Sequence, residues 1–327
     1  MKKLIFILTT TLLWGTNAFS MHYARKGFSH ICKAAKWLIV TTPFAVTAYQ
    51  LNQTEEMVKQ LQTADPEIKE FVHAQLTKVG IDDPRSIQIK ISDDDNFGSP
   101  IAIPSSSTII VPSSNLQSLL NYAVPFWKLE TIAPELRKEI KNKIHPDVMK
   151  KAEAAYNQEC FKYQHEGAHI LNDRPYKIIS AQAMGIAFGI SIAQACKKAF
   201  FKSNTQRTAW RQFGHDLTQI PRGYILAGLG SAAIIMYKRY IEQRADDTVK
   251  DSIPVLQGGV GYLTQDYNTA LTVLPLEITN NPLFLELALT LHDPAHPLIT
   301  TRIAKLQARI DAIKAKETEA SKKAHQA

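Results

Sequence analysis

Apolar and polar positions change period several times along the 327 residues. The chain opens with Met1-Lys2-Lys3 and a largely apolar run from Leu4 to Trp14, followed by Gly15 to Ser20 with small residues at Ala18 and Ser20. That order predicts a signal peptide over 1–20, or an N-terminal membrane anchor if it stays attached. Trp37 to Tyr49 is apolar but short and carries Pro43, so it reads as a marginal membrane span or a buried helix. Helical spacing runs from Gln50 to Val79, with Asp65 as N-cap and Pro66 as the first residue of a segment through Glu70 and Leu76. The period then falls to two. Ser86 to Ile91 alternates, Pro100 to Ile103 is short and apolar, and Thr108 to Val111 is β-branched, with turn residues at Asp93 to Ser99 and Pro104 to Ser107. A small sheet of about three strands follows from this. Leu116 to Cys160 returns to helical spacing, broken at Pro134 and Pro146. Ile299 to Ile313 predicts a last helix, and the Lys-, Glu- and Ala-rich residues 314–327 predict a flexible tail.

Two further apolar segments, Ile178 to Cys196 and Gly223 to Tyr237, form a helical hairpin in either of two settings, a membrane or a packed core. Lys197, Lys198, Lys202, Arg207, Arg211 and Arg222 crowd the link between them. In a membrane hairpin that basic link belongs on the cytoplasmic side, which turns the flanking parts outward. The opposite arrangement is an integral membrane protein whose active site faces the cytoplasm.

Composition places the chain among ordered globular proteins, with 45% hydrophobic and 21% charged residues. The formal charge of +8 is spread along the chain without a nucleic-acid motif, so it points to an anionic membrane surface and not to nucleic acid. Cys32, Cys160 and Cys196 form no C-x-x-C pair and no complete disulfide framework. Cys160 precedes His165 by five positions and so faces away from it on a helix.

The chemistry concentrates in His165-Glu166-Gly167-Ala168-His169, an H-E-x-x-H motif. Two imidazoles four positions apart share one helical face and can bind one zinc ion, with Glu166 beside them as general base. A third ligand is required. The continuation that would supply another histidine fails, because position 175 is Pro175. A distant carboxylate remains, and Arg239-Tyr240-Ile241-Glu242-Gln243-Arg244-Ala245-Asp246 offers Glu242, with Asp246 one turn later able to orient a ligand imidazole. His73, His145, His215 and His292 lack a partner at ligand spacing and read as surface or capping residues.

These residues resemble the HtpX-like and CAAX-protease-like gluzincin zinc metallopeptidases, which pair H-E-x-x-H with a later R-x-x-E-x-x-A-D. The span of apolar sequence between His165 and Glu242 and the polar Asn172-Asp173 after the second histidine are similar to that family too. So is His296-Pro297 followed by Arg302-Ile303, which matches H-P-x-x-x-x-R-I. The resemblance covers about Asn96 to Leu306. Gly167 and Asp247 depart from it: the first replaces an aliphatic residue at about 1 kcal/mol of helix propensity, the second stands where a basic residue is common.

The resemblance implies an α+β, predominantly helical, zincin-like fold with a small sheet beside the active-site helix and the apolar hairpin 178–237 inserted between the ligand motifs. It further implies one zinc ion on His165, His169 and Glu242, Glu166 as general base and acid, Asp246 behind a ligand, and His296 and Arg302 stabilising the oxyanion. Residues 21–85 form an N-terminal region and 86–313 the metallopeptidase domain. The expected substrate is an extended polypeptide in envelope or membrane-associated quality control or processing. Thr108 to Val111 either presents a sheet edge to it or is buried within the sheet. The other readings are a catalytically inactive zinc-binding chaperone and a structural envelope protein.

Overall fold

A computed structural model describes residues 53–93, 98–173, 235–280 and 298–326, together with 285, 288 and 289. The leader 1–20, the segment 37–49, the hairpin over 178–234 with its basic link, Cys32, Cys196, His215, His292 and His296 all lie outside the described residues. The described part is mostly helical with one small mixed sheet, an α+β arrangement. Among the described residues no helix is long and apolar enough to cross a membrane.

The sheet has four strands in the order β1-β2-β4-β3: β1 Gln62–Thr63, β2 Gln88–Ser92, β3 Ile101–Ile103 and β4 Thr108–Pro112. β4 runs parallel to β2 and antiparallel to β3. Thr108 to Val111 is therefore central and buried at every position, and the edge belongs to β3. An unbroken apolar run marks a strand covered on both faces, as its lack of alternation allowed. β1 had no signal of its own, since two polar residues make no pattern; it exists because it pairs with Ile91 and Lys90 of β2.

Helix α1, Pro66–Lys78, starts where Asp65-Pro66 predicts, although the Asp65 side chain makes no capping bond. Ile68, Phe71, Val72 and Leu76, at helical spacing, are fully buried in the core that also holds Ile89 and Ile109 of the sheet. After β4 come α2, Ser113–Ser118, a π-helical turn over Leu119–Ala123, α3, Val124–Thr131, and α4, Pro134–Lys143. Pro134 and Pro146 open helices, because their missing N–H is lost at no cost in a first turn.

Helix α5, Pro146–Asn172, is the spine. Its N-cap is His145, whose Nδ1 accepts from the Asp147 amide at 3.3 Å, the capping role expected of that residue. Phe71 meets Trp127, Tyr156 and Tyr163 with ring centroids 6.0, 6.1 and 5.9 Å apart, which joins α1 and α3 to α5. Cys160 is buried within this packing, away from the ligand face as its spacing required. Beyond α5 the described chain resumes with a helix α6 over residues 235–248, then α7, Ile253–Val273, and α8, Ile299–Gln326.

α7 lies close against α5 because Gly258 and Gly259 face it: a Cβ at either position would overlap the Asn157 backbone or the Phe161 ring. The end expected to be a flexible tail is instead the second half of α8. Ala, Lys and Glu are strong helix formers, and pairs such as Lys323–Glu319 at 2.8 Å continue the helix with its side chains exposed.

Candidate metal centre

Three helices build the site. α5 brings His165, Glu166 and His169; α6 brings Glu242 and Asp246; α8 brings Arg302. α5 can approach α1 here because of Gly167. A Cβ at that position would stand 2.6 Å from Leu76 Cδ2 and 3.0 Å from Val79 Cγ2. The glycine that weakens the helix locally is what lets it seat, so the departure from an aliphatic residue has a packing cause.

His165 and His169 turn the same atom inward. Their Nε2 atoms are 3.2 Å apart, and Glu242 approaches both: Oε2 lies 3.3 Å from His165 Nε2, and Oε1 lies 3.5 Å from His169 Nε2. One donor atom from each of the three residues falls within 4.8 Å of the others. Ligands on a tetrahedral zinc with bonds of 2.0–2.1 Å stand about 3.3 Å apart, so these separations fit that ion. The donor set also fits, since two neutral imidazoles and a carboxylate suit zinc and leave a fourth position open.

Each imidazole has a carboxylate behind it. His165 Nδ1 is 2.9 Å from Asp246 Oδ1, and His169 Nδ1 is 2.6 Å from Asp173 Oδ2. The first contact is short but out of line for a hydrogen bond, so it acts chiefly as a charge pair. The second is an aligned hydrogen bond. Such partners fix which ring nitrogen faces a metal. Burial works against charge on His165, yet the Asp246 and Glu242 carboxylates outweigh it and push the imidazole pKa up to about 10. Burial also opposes charge on Asp246, where His165 and Arg302 prevail and hold the carboxyl well below its usual range.

Arg302 reaches the site through Asp246. Its Nε and Nη2 donate to Oδ2 and Oδ1 at 2.7 and 2.8 Å, a buried bidentate pair. Two nitrogens committed there give Arg302 a hold on the support of His165. His296, its companion in the sequence motif, lies outside the described residues.

Several contributors escaped the sequence reading. Arg309, two turns after Arg302 on α8, donates to the Asp246 and Val249 carbonyls at 2.7 Å and to Asp251 Oδ1 at 2.6 Å. The end of α6 is thus clasped by two arginines of one helical face. Gln164, buried beside His165, donates to Gln75 and accepts from the Lys250 amide at 3.1 Å, tying α5 to α1 and to the chain after α6. Asp173 was visible only as a polar helix end, although its spacing of four from His169 already placed it on the ligand face.

Glu166 points to the sheet. The Ala102 amide of β3 donates to its Oε2 at 2.7 Å. Burial raises the carboxyl pKa of Glu166, and His165, His169 and that amide offset only part of the rise.

No protein-family model matches this chain, and no curated protein or solved structure matches it either.

Proposed function

We propose that the chain is a zinc-dependent endopeptidase of the gluzincin type, with a zincin-like fold similar to that of the HtpX-like proteins. Its substrates are extended polypeptides in the cell envelope or at a membrane surface. The observation that carries this reading is the convergence of His165 Nε2, His169 Nε2 and the Glu242 carboxylate on one point, with Asp246 and Asp173 behind the two rings. A purely structural helix has no reason to aim two imidazoles at one carboxylate and back both with acids.

His165, His169 and Glu242 would hold the ion. Bound zinc supplies Lewis acidity, polarising a carbonyl and making a water molecule more acidic. Glu166, next to His165 on the same helix, takes the proton of the attacking water and returns it to the leaving amine. Asp246 and Asp173 keep each Nδ1 occupied so that each Nε2 faces the metal. Arg302 and Arg309 hold Asp246 and the end of α6 in register with α5.

The test separates binding from chemistry. Glu166→Gln should retain zinc and lose roughly 10²- to 10⁴-fold of the cleavage of an unfolded polypeptide. Cleavage that survives this change would defeat the assignment of Glu166. Zinc without any cleavage in the unaltered protein would leave a zinc-stabilised binding protein in place of an enzyme.

A further inference from the structure

A second hollow lies where α3, α4 and the first turns of α5 meet. It is a cavity of about 440 Å³, within the range of about 300–1,000 Å³ that small-molecule sites occupy. Phe126 and Leu129 of α3, Ile140 of α4 and Met149 of α5 line it, with Ile132 and Ile144 from the joints between helices. The polar lining is confined to Asn121, Tyr122 and Lys128. Ala152, the last lining residue on α5, precedes His165 by about 20 Å of helix. The way α4 is attached explains why the hollow is not filled. None of its residues is buried, and Leu136, one turn before Ile140 on the same face, is 50% exposed. The helix is fastened by polar bonds instead: Arg137 Nη1 donates to Glu130 Oε2 at 3.1 Å, and Lys141 Nζ donates to Glu130 Oε1 at 2.8 Å. It stands as a strut beside an apolar hollow that no side chain of the described core enters.

We propose that this cavity takes the chain of one free long-chain fatty acid, with its carboxylate at Lys128. Neither the metal ligands nor Glu166 enters into it, so it stands apart from the endopeptidase reading. The lining selects the chain. A peptide placed there would leave backbone N–H and C=O groups without partners, at a cost that a hydrocarbon chain does not incur. A protein partner would need about 1,000 Å² of complementary surface, whereas the residues around this hollow turn from apolar to charged within one helical turn. Charge selects the head group. Lys128 is the one charged residue of the lining, and Lys141 Nζ stands 5.2 Å from the centroid of the Phe126 ring on the same wall. Lys138, Lys143, Lys150 and Lys151 add exposed positive charge on α4 and the start of α5. Lys128 now pairs with Glu67 at 2.6 Å, with both side chains about half exposed, and a pair of that kind is weak enough to exchange partners. A carboxylate whose own chain is buried in the cavity wins that exchange, because the burial of the chain holds it beside the ammonium group. A diacyl phospholipid fits less well: it brings a second chain for which the described residues provide no lining.

Equilibrium binding of tritiated palmitate to the delipidated full-length protein tests this, at concentrations below those at which palmitate self-associates. Binding should saturate at about one palmitate per chain, and from octanoate to palmitate the affinity should rise about two- to fourfold per methylene, as burial of each CH₂ requires. Palmityl alcohol, which lacks the charge, should bind at least about tenfold more weakly. Lys128→Gln should weaken palmitate about tenfold and leave palmityl alcohol unchanged. Ile140→Trp fills the cavity from a helix with no buried residue, so the variant should keep its circular dichroism spectrum and lose at least about tenfold in affinity for palmitate. Affinity that ignores chain length, palmityl alcohol bound as tightly as palmitate, or full palmitate binding by Ile140→Trp would each overturn the proposal. So would capture of phosphatidylglycerol vesicles without binding of palmitate, which would assign the hollow to a bilayer lipid, or a dimer dissociated by Ile140→Trp, which would assign it to a second copy of the chain. None of these readouts involves zinc or cleavage, so a failure of the endopeptidase reading would appear separately, as absent metal or absent proteolysis.

Discussion

His165 and His169 present the same atom to the same point, but they are held there by different parts of the molecule. His169 is steadied locally: Asp173, four residues on and at the C-cap of the same helix, reaches its Nδ1. His165 is steadied from a distance: Asp246 stands on α6, and α8 fastens Asp246 through Arg302 and Arg309. One support comes with the helix. The other exists only when three elements far apart in sequence have assembled. The half of the site formed by His165 and Glu242 should accordingly report on tertiary assembly, while the half formed by His169 reports on α5 alone.

The largest separation of the two halves should come from Arg302→Leu. It leaves the Asp246 carboxylate buried with one partner removed, and breaking such a pair costs about 3–5 kcal/mol. Chemical denaturation of the metal-free protein measures it. A loss no greater than that of an exposed ion pair would mean that α8 is not the clasp described.

Asp246→Asn and Asp173→Asn compare the two supports directly. Asparagine at 246 offers Arg302 a single acceptor and turns an amide N–H₂ toward other donors. Zinc affinity should fall towards the upper end of the roughly 10- to 100-fold expected when such a partner is lost. Asparagine at 173 keeps an oxygen for the one bond from His169, so its loss should stay at about tenfold or less. Competition with a chromogenic chelator ranks the variants, and equal losses would remove the distinction.

Much of the first half could be read from the sequence, and little of the second. H-E-x-x-H needs only the 3.6-residue period, so His165, Glu166 and His169 were readable from spacing alone. Glu242 and Asp246 stood out because a second motif marks them, not because anything local links α6 to α5. Arg309 and Gln164 carry no motif: they donate to or accept from backbone groups, and such partners are anonymous in a sequence. The sheet shows the same division. Its three strongest strands followed from their patterns, whereas the choice of β3 over β4 as the edge depended on pairing order, which apolar runs do not encode. Gly167 was legible as a weakness of the helix, and only the approach of Leu76 reveals its use. The opposite error occurred at the C-terminus, where low hydrophobicity suggested a loose tail although the same residues favour helix.

The smallest effect concerns protons. With its pKa pushed up to about 10, His165 is charged at neutral pH in the metal-free protein, and that proton must leave before the ring can bind a metal. The folded value lies above that of an unfolded histidine, so the charge pair contributes fully below the unfolded pKa and fades as pH rises towards about 10. Zinc uptake should therefore strengthen as pH rises from neutrality. Calorimetry in buffers of different ionisation enthalpy should find about one proton released per ion bound from this ring.

The central claim is that His165, His169 and Glu242 together hold one metal ion. Zinc content of the purified full-length protein beside Glu242→Ala tests it most directly. The account predicts about one zinc per chain in the unaltered protein and far less in the folded variant after identical dialysis. Equal zinc in both, or none in the unaltered protein, would contradict it.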